Sequence, residues 1–197
     1  YLRSHPLSTE RMADMQARQQ LQTPRAVNAD GDMVQAMMSA RAKILAQPGV
    51  DALRAWAQEA QDPSIGKHTP AKRMGILYGA CLSWLQLRDW QKAHALLPPL
   101  RAAAQPLPAA QRLIQLLETE LAFKEEDMGK ALQSLKYVSD QTTANWARPE
   151  MMYLAQASGR LHVSVPSTET STQLAKSISA LQRWVLQNPQ DLSLIHI

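Results

Sequence analysis

Arg73-Met74-Gly75-Ile76-Leu77-Tyr78-Gly79-Ala80-Cys81-Leu82-Ser83-Trp84-Leu85 is followed by Arg88-Asp89 and then by Trp90-Gln91-Lys92-Ala93-His94-Ala95-Leu96-Leu97. Apolar side chains recur at three- and four-residue intervals on both sides of Arg88-Asp89, which is the signature of two amphipathic helices joined by a short turn. The first helix is expected from Lys72 to about Leu87 and the second from Trp90, with Pro98-Pro99 interrupting or capping it. Ala80, Cys81 and Ala93 are small, and small side chains let two helices approach closely. A second copy follows: Leu113 to Lys124 as a first helix, Glu125-Glu126-Asp127 as the turn, and Met128 to Leu135 as the start of a second helix. Ala131 stands where Ala93 stands in the first copy, 38 residues on.

This layout resembles tetratricopeptide repeats, whose period is about 34 residues. The Pro106-Leu107-Pro108 insert accounts for the longer spacing. Outward toward the C-terminus, Pro149 to Arg160 reads as a third first-helix. Its partner is set back by the Ser/Thr-rich stretch 164–172 and runs from Leu174 to Gln187, with Ile178, Leu181, Trp184 and Val185 inward. Outward toward the N-terminus, Val50–Ala60 reads as a helix with Leu53, Trp56 and Ala57 inward. Asp32–Gln47 reads as a helix with Val34, Met37, Met38, Ala42 and Leu45 on its apolar side. Pro24, Asn28 and Asp30-Gly31 mark a turn; Asn28, Asp30 and Asp32 look like the start of a calcium loop but lack the bidentate Glu such a loop needs. Gly (7) and Phe (1) are scarce while Ala and Leu abound, so the chain is read as all-α, a solenoid of stacked helical hairpins.

The chain opens with Ser4-His5-Pro6-Leu7-Ser8-Thr9-Glu10-Arg11-Met12. Ser8 is a candidate helix N-cap with Glu10 in the first turn, and Met12 and Met15 share a face. His-Pro followed by Arg five residues after the proline resembles a signature of the zinc metalloprotease family of the CAAX prenyl proteases and the HtpX-type proteases, whose periplasmic members carry helical repeats after the protease domain. The resemblance implies a catalytic zinc with three protein ligands and one open position. It implies that a HExxH helix and a later Glu supply those ligands. No HExxH occurs in the 197 residues. By resemblance, His5 lies near the metal, either donating to the oxyanion of the tetrahedral intermediate or acting as a reversible zinc ligand. Arg11 would pair with the carboxylates around the site.

The division that follows is 1–21, the tail and last helix of a zinc metalloprotease domain; 22–70, linker and bridging helices; 71–191, tetratricopeptide-like repeats; and 192–197. The last six residues, Leu192-Ser193-Leu194-Ile195-His196-Ile197, are what the codons CTG TCT CTT ATA CAC ATC encode. Those bases resemble the mosaic end of a transposase sequencing adapter, so the hexapeptide is read as an assembly scar and His196 is given no role.

The net charge of +4 is spread among interleaved acidic residues, so no nucleic-acid partner is expected. Cys81, on an apolar helix face, is read as inert core. His68, His94 and His162 share no ligand spacing. The expected whole is a piece of a periplasmic zinc metalloendopeptidase of outer-membrane protein quality control. Zinc would be held in the full-length parent and none by this piece, which should be inactive alone. The repeats would bind protein partners or unfolded outer-membrane protein substrates. The alternative is a non-catalytic adaptor built of the same repeats.

Overall fold

The computed structural model describes residues 8–20, 28–136 and 148–189. Among these the chain is helical throughout, with no strand. The helices are α1 (Ser8–Gln20), α2 (Ala29–Leu45), α3 (Val50–Glu59), α4 (Pro70–Gln86), α5 (Trp90–Ala103), α6 (Pro108–Lys124), α7 (Met128–Ser134), α8 (Arg148–Ser164) and α9 (Thr168–Gln187), with a 3-10 turn at Pro63–Lys67. The helices α4/α5, α6/α7 and α8/α9 are three stacked hairpins, and α3 packs against α4. This is the all-α stack of helical hairpins expected from the sequence.

The first two hairpins turn in the same way. Arg88 and Glu126 both adopt left-handed φ (59° and 62°). In each case the next amide reaches back to close the preceding helix: Asp89 N–H to the Trp84 carbonyl (3.0 Å) and Asp127 N–H to the Ala122 carbonyl (2.9 Å). A non-glycine residue in that region costs about 1 kcal/mol, and the following aspartate offsets it. Asp89 accepts from Lys92 N–H (3.2 Å) and Asp127 from Lys130 N–H (2.9 Å), and each also pairs with the lysine ammonium. Hydrogen bonds to Lys92, and to Lys130, hold these two carboxyls below the usual aspartate range.

Within each hairpin the crossing point is made of small side chains. Cys81 Sγ donates to the Ala93 carbonyl across 3.4 Å, twelve residues apart in sequence. The same spacing relates Thr119 to Ala131 and Ser158 to Thr170, and all six residues are buried. Leucines fill the space around these crossings: Leu82, Leu85, Leu97 and Leu100 in the first hairpin, joined to Ile114, Leu117 and Leu121 of the second in one core. Burial of each such side chain contributes about 1.5–3 kcal/mol.

The structure differs from the sequence reading at several places. Helix α5 runs through Pro98-Pro99 to Ala103: both prolines face solvent, and Leu97 and Leu100, buried on the opposite face, carry the helix across them. Helix α6 begins at Pro108, where a missing N–H costs nothing, rather than at Leu113. Residues Thr168–Thr172 are the first turns of α9, begun by a capping box between Ser167 and Thr170. Helix α2 starts at Ala29 with Asn28 as its N-cap, so the Asn28–Asp32 run is a helix start. On α2 the buried side chains are Met33, Met37 and Ile44, while Met38 and Leu45 are exposed.

Candidate functional site

Helix α2 is the element that organises the stack. A Cβ placed on Gly75 would stand 3.1 Å from the Ala36 carbonyl oxygen, and one on Gly79 would stand 3.3 Å from Ala40 Cβ. The two glycines therefore let α2 lie directly on α4. Ala36 and Ala40 advance along α2 as Gly75 and Gly79 advance along α4, so the helices run parallel. The same holds for α6. Leu107, at the N-cap of α6, has no side chain able to cap it, and Asp30 of α2 does so instead. The Asp30 carboxylate accepts from Ala109 N–H and Ala110 N–H, both at 3.0 Å. Further along, Arg41 of α2 pairs with Glu120 of α6, and both contacts join residues 79 apart in sequence. The face made by the first helices of hairpins one and two is thus occupied by α2.

Arg41 lies at the centre of a buried polar group. Its Nη1 donates to the Tyr78 hydroxyl (3.0 Å) and its Nη2 to Glu120, and the charge of Glu120 also acts on the Tyr153 hydroxyl of α8. Burial works against the charged guanidinium, but the hydrogen bond and charge of Glu120 outweigh it, and the Arg41 pKa lies above its ordinary value. Burial pushes the Tyr78 hydroxyl up to about 12 and raises that of Tyr153. A second pair, Arg112 Nε to Glu150 Oε1 (2.5 Å) with a parallel Nη2 contact, ties α6 to α8. Phe123 and Tyr153 meet edge-on at 5.3 Å, a further contact between these two helices.

The concave surfaces open to solvent include two of about 700 Å³ or more. One is a polar cleft of about 700 Å³ between α5, α6 and α7, lined by His94, Arg101, Gln115, Glu118, Lys130 and Gln133. Its walls are braced by His94 Nε2 to Glu125 Oε1 (2.9 Å) and by Arg101 Nε to Glu118 Oε1 (2.6 Å). The other is an apolar groove of about 770 Å³ on α8 and α9, lined by Ala155, Leu174, Ile178, Leu181, Val185 and Leu186. The sequence pattern places Ile178, Leu181 and Val185 inward. Instead, Thr170, Ser177 and Ala180 turn toward α8, and Ile178 and Val185 remain 46% and 45% exposed. The apolar stripe of α9 is formed as the pattern says, but it faces an open groove.

Of the residues implied by the protease resemblance, His5 lies outside the described residues. Arg11 is exposed on α1 and makes no ion pair with any described residue. Among the described residues no group of three or more His, Cys, Asp or Glu could hold a metal ion, so these residues alone do not fit a zinc site. Cys81 is fully buried and its thiol is pushed up to about 12 by that burial, so it is core and not a nucleophile. No helix among the described residues is long and apolar enough to cross a membrane.

Pattern reading found the hairpins but missed Asp30, Arg41, Glu120 and the cleft. Asp30 carried one usable signal: a helix opening at Leu107-Pro108 needs a capping acceptor from elsewhere. Nothing in the spacing marks Arg41 or Glu120, because their pairing is a tertiary event. Comparisons with protein-family models, curated proteins and solved structures found no match to this chain.

Proposed function

We propose that this chain is the protein-holding part of a periplasmic zinc metalloendopeptidase acting in outer-membrane protein quality control. Helix α1 would be the last helix of the protease domain, and the hairpin stack would bind unfolded substrate or an assembly partner. The observation that carries the reading is the order along the chain. His5-Pro6 stands directly before α1, Arg11 lies within α1, and a stack of helical hairpins follows. Helix α1 supports it further: Met12 and Met15 are 59% and 64% exposed, an apolar pair suited to packing against a domain on its N-terminal side.

On this reading zinc belongs to the larger protein. It would supply Lewis-acid polarisation of a scissile carbonyl there, with its principal ligands outside these 197 residues. His5 would either donate to the oxyanion or ligate the metal reversibly, and Arg11 would hold neighbouring carboxylates in place. Protein is held in the polar cleft: Gln115 and Gln133 offer donors and acceptors to an extended backbone, and the paired Arg101 and Glu118 offer both charges at its edge.

The coding sequence preceding Tyr1 tests the proposal. It should contain a HExxH helix followed by a ligand Glu; a complete reading frame without them overturns the protease reading.

A second reading, a non-catalytic adaptor of helical hairpins with no metal, is favoured by Arg11, which is solvent-exposed and held by no described residue. It calls for further hairpins or a leader ahead of Tyr1.

A further inference from the structure

We propose that the apolar groove on α8 and α9 is the seat of another amphipathic helix, the first helix of a further hairpin of the same polypeptide stacked beyond α9. The inference does not depend on the protease reading. It rests on the continuity of the groove with an interface already present in the stack.

The comparison is between α5 and α9, the second helices of hairpins one and three. Aligned on the small residue that meets the first helix, Ala93 in α5 and Thr170 in α9, the two helices bury the same face inward. Leu100 corresponds to Ser177 and Ala103 to Ala180; Leu100, Ser177 and Ala180 are buried and Ala103 is half-buried. They differ at the neighbouring stripe. Leu97 and Ala104 are 6% and 0% exposed in α5, whereas their counterparts Leu174 and Leu181 are only half-buried and line the groove. Leu97 and Ala104 belong to one core with Ala110, Ile114, Leu117 and Leu121 of α6, the helix that packs on α5. Arg101, between them, pairs with Glu118 of α6, and the residue in its place on α9 is Ile178.

Helix α9 therefore repeats the acceptor face of α5, made more apolar by Ile178 for Arg101 and lengthened by Val185. The helix that fits it carries small and branched apolar side chains at the spacing of Ala110, Ile114, Leu117 and Leu121, which is i, i+4, i+7, i+11. Gln156 and Gln182 at the rim are neutral, so the fit selects for shape and apolar pattern and not for charge. Stacked hairpins bury such faces only against the next repeat, and an uncovered second-helix face of this size is the mark of an unfilled position in the stack.

The test uses the whole chain and, as probe, a peptide with the sequence of Pro108–Lys124, the helix that covers the matching face of α5. Amide hydrogen exchange of α9 and sedimentation are measured with and without peptide, for the native chain and for Ile178→Asp/Leu181→Asp. Both positions are partly solvated, and circular dichroism checks that the variant stays helical. At a peptide concentration ten times its Kd, α9 amides that exchange by local opening should slow about elevenfold. The double variant should bind at least about tenfold more weakly. Peptide that does not bind, or that binds the double variant equally well, overturns the proposal. A chain that dimerises through this face, becomes monomeric in the double variant and ignores the peptide also overturns it, assigning the groove to a second copy.

Discussion

Hairpins one and two and hairpin three have the same backbone plan but different interiors. In α4, Met74, Leu77, Tyr78, Cys81, Leu82 and Leu85 are all buried, because α2, α3 and α5 cover the helix on three sides. In α9 the buried residues are Thr170, Ser177 and Ala180, and among the described elements α8 is the one that packs extensively on it. The plan is therefore set by the small residues at the crossing points, while the depth of the core is set by how many neighbours each helix has. A helical hairpin in a stack is only as stable as its flanking layers, and among the described residues the third hairpin is flanked on one side only.

The strongest way to break the contrast is to leave a charge unpaired beneath α2. Arg41→Ala strands the Glu120 carboxylate and should lower stability by about 3–5 kcal/mol in urea unfolding. The pair replacement Arg41→Met/Glu120→Leu should recover most of that loss. Next come leucine truncations, one on each of these two second helices. Leu100→Ala, in the covered core, should cost about 3 kcal/mol. Leu181→Ala, on the open groove, should cost under about 1 kcal/mol by the same measurement.

Alkaline pH should act on the covered region. Cys81 and Tyr78 have their pKa values raised to about 12 by burial, from 9.0 and 10.0. A group whose pKa is raised in the folded state contributes its full stabilisation below the unfolded value and loses it as pH climbs to the folded one. The urea midpoint should therefore fall between about pH 9 and pH 12, and Cys81→Ala should start that fall later, near pH 10. A midpoint flat across this range would contradict the burial of both groups.

The smallest effect sharpens the comparison by sign. Gly75→Ala drives a methyl into the Ala36 carbonyl, whereas a Cβ on Gly159 of α8 meets nothing within 4 Å. Alanine gains about 1 kcal/mol over glycine in a helix. Gly159→Ala should thus stabilise by about that amount in thermal unfolding. Gly75→Ala should destabilise by about 1 kcal/mol, once overpacking against α2 exceeds the helix gain.

Residues that act within one or two turns of helix were legible in the sequence. Asp89 and Asp127 stand before helices, Ala93 and Ala131 after turns, and the all-helical stack follows from their recurrence. Boundaries marked by proline were misread because proline ends a helix only where its lost donor matters; at Pro98-Pro99 a buried leucine face outweighs it, and at Pro108 it opens the helix. The polar interior was not legible. Asp30 looks like a turn residue until α6 is seen beginning above it. Arg41 and Glu120 look like surface charges until α2 is seen lying parallel to α6. For α9 the periodicity of Ile178, Leu181 and Val185 gave the right stripe, but periodicity reports which face is apolar and not whether a neighbour is there to cover it.

The central claim, that these hairpins serve a zinc peptidase, is tested most directly by metal analysis and proteolysis of the complete gene product beside this chain. The complete product should hold stoichiometric zinc and cleave an unfolded outer-membrane protein in a chelator-sensitive way, and the 197-residue chain should do neither. A complete product that binds the unfolded protein yet contains no zinc and cleaves nothing would contradict it, and would leave the adaptor reading in its place.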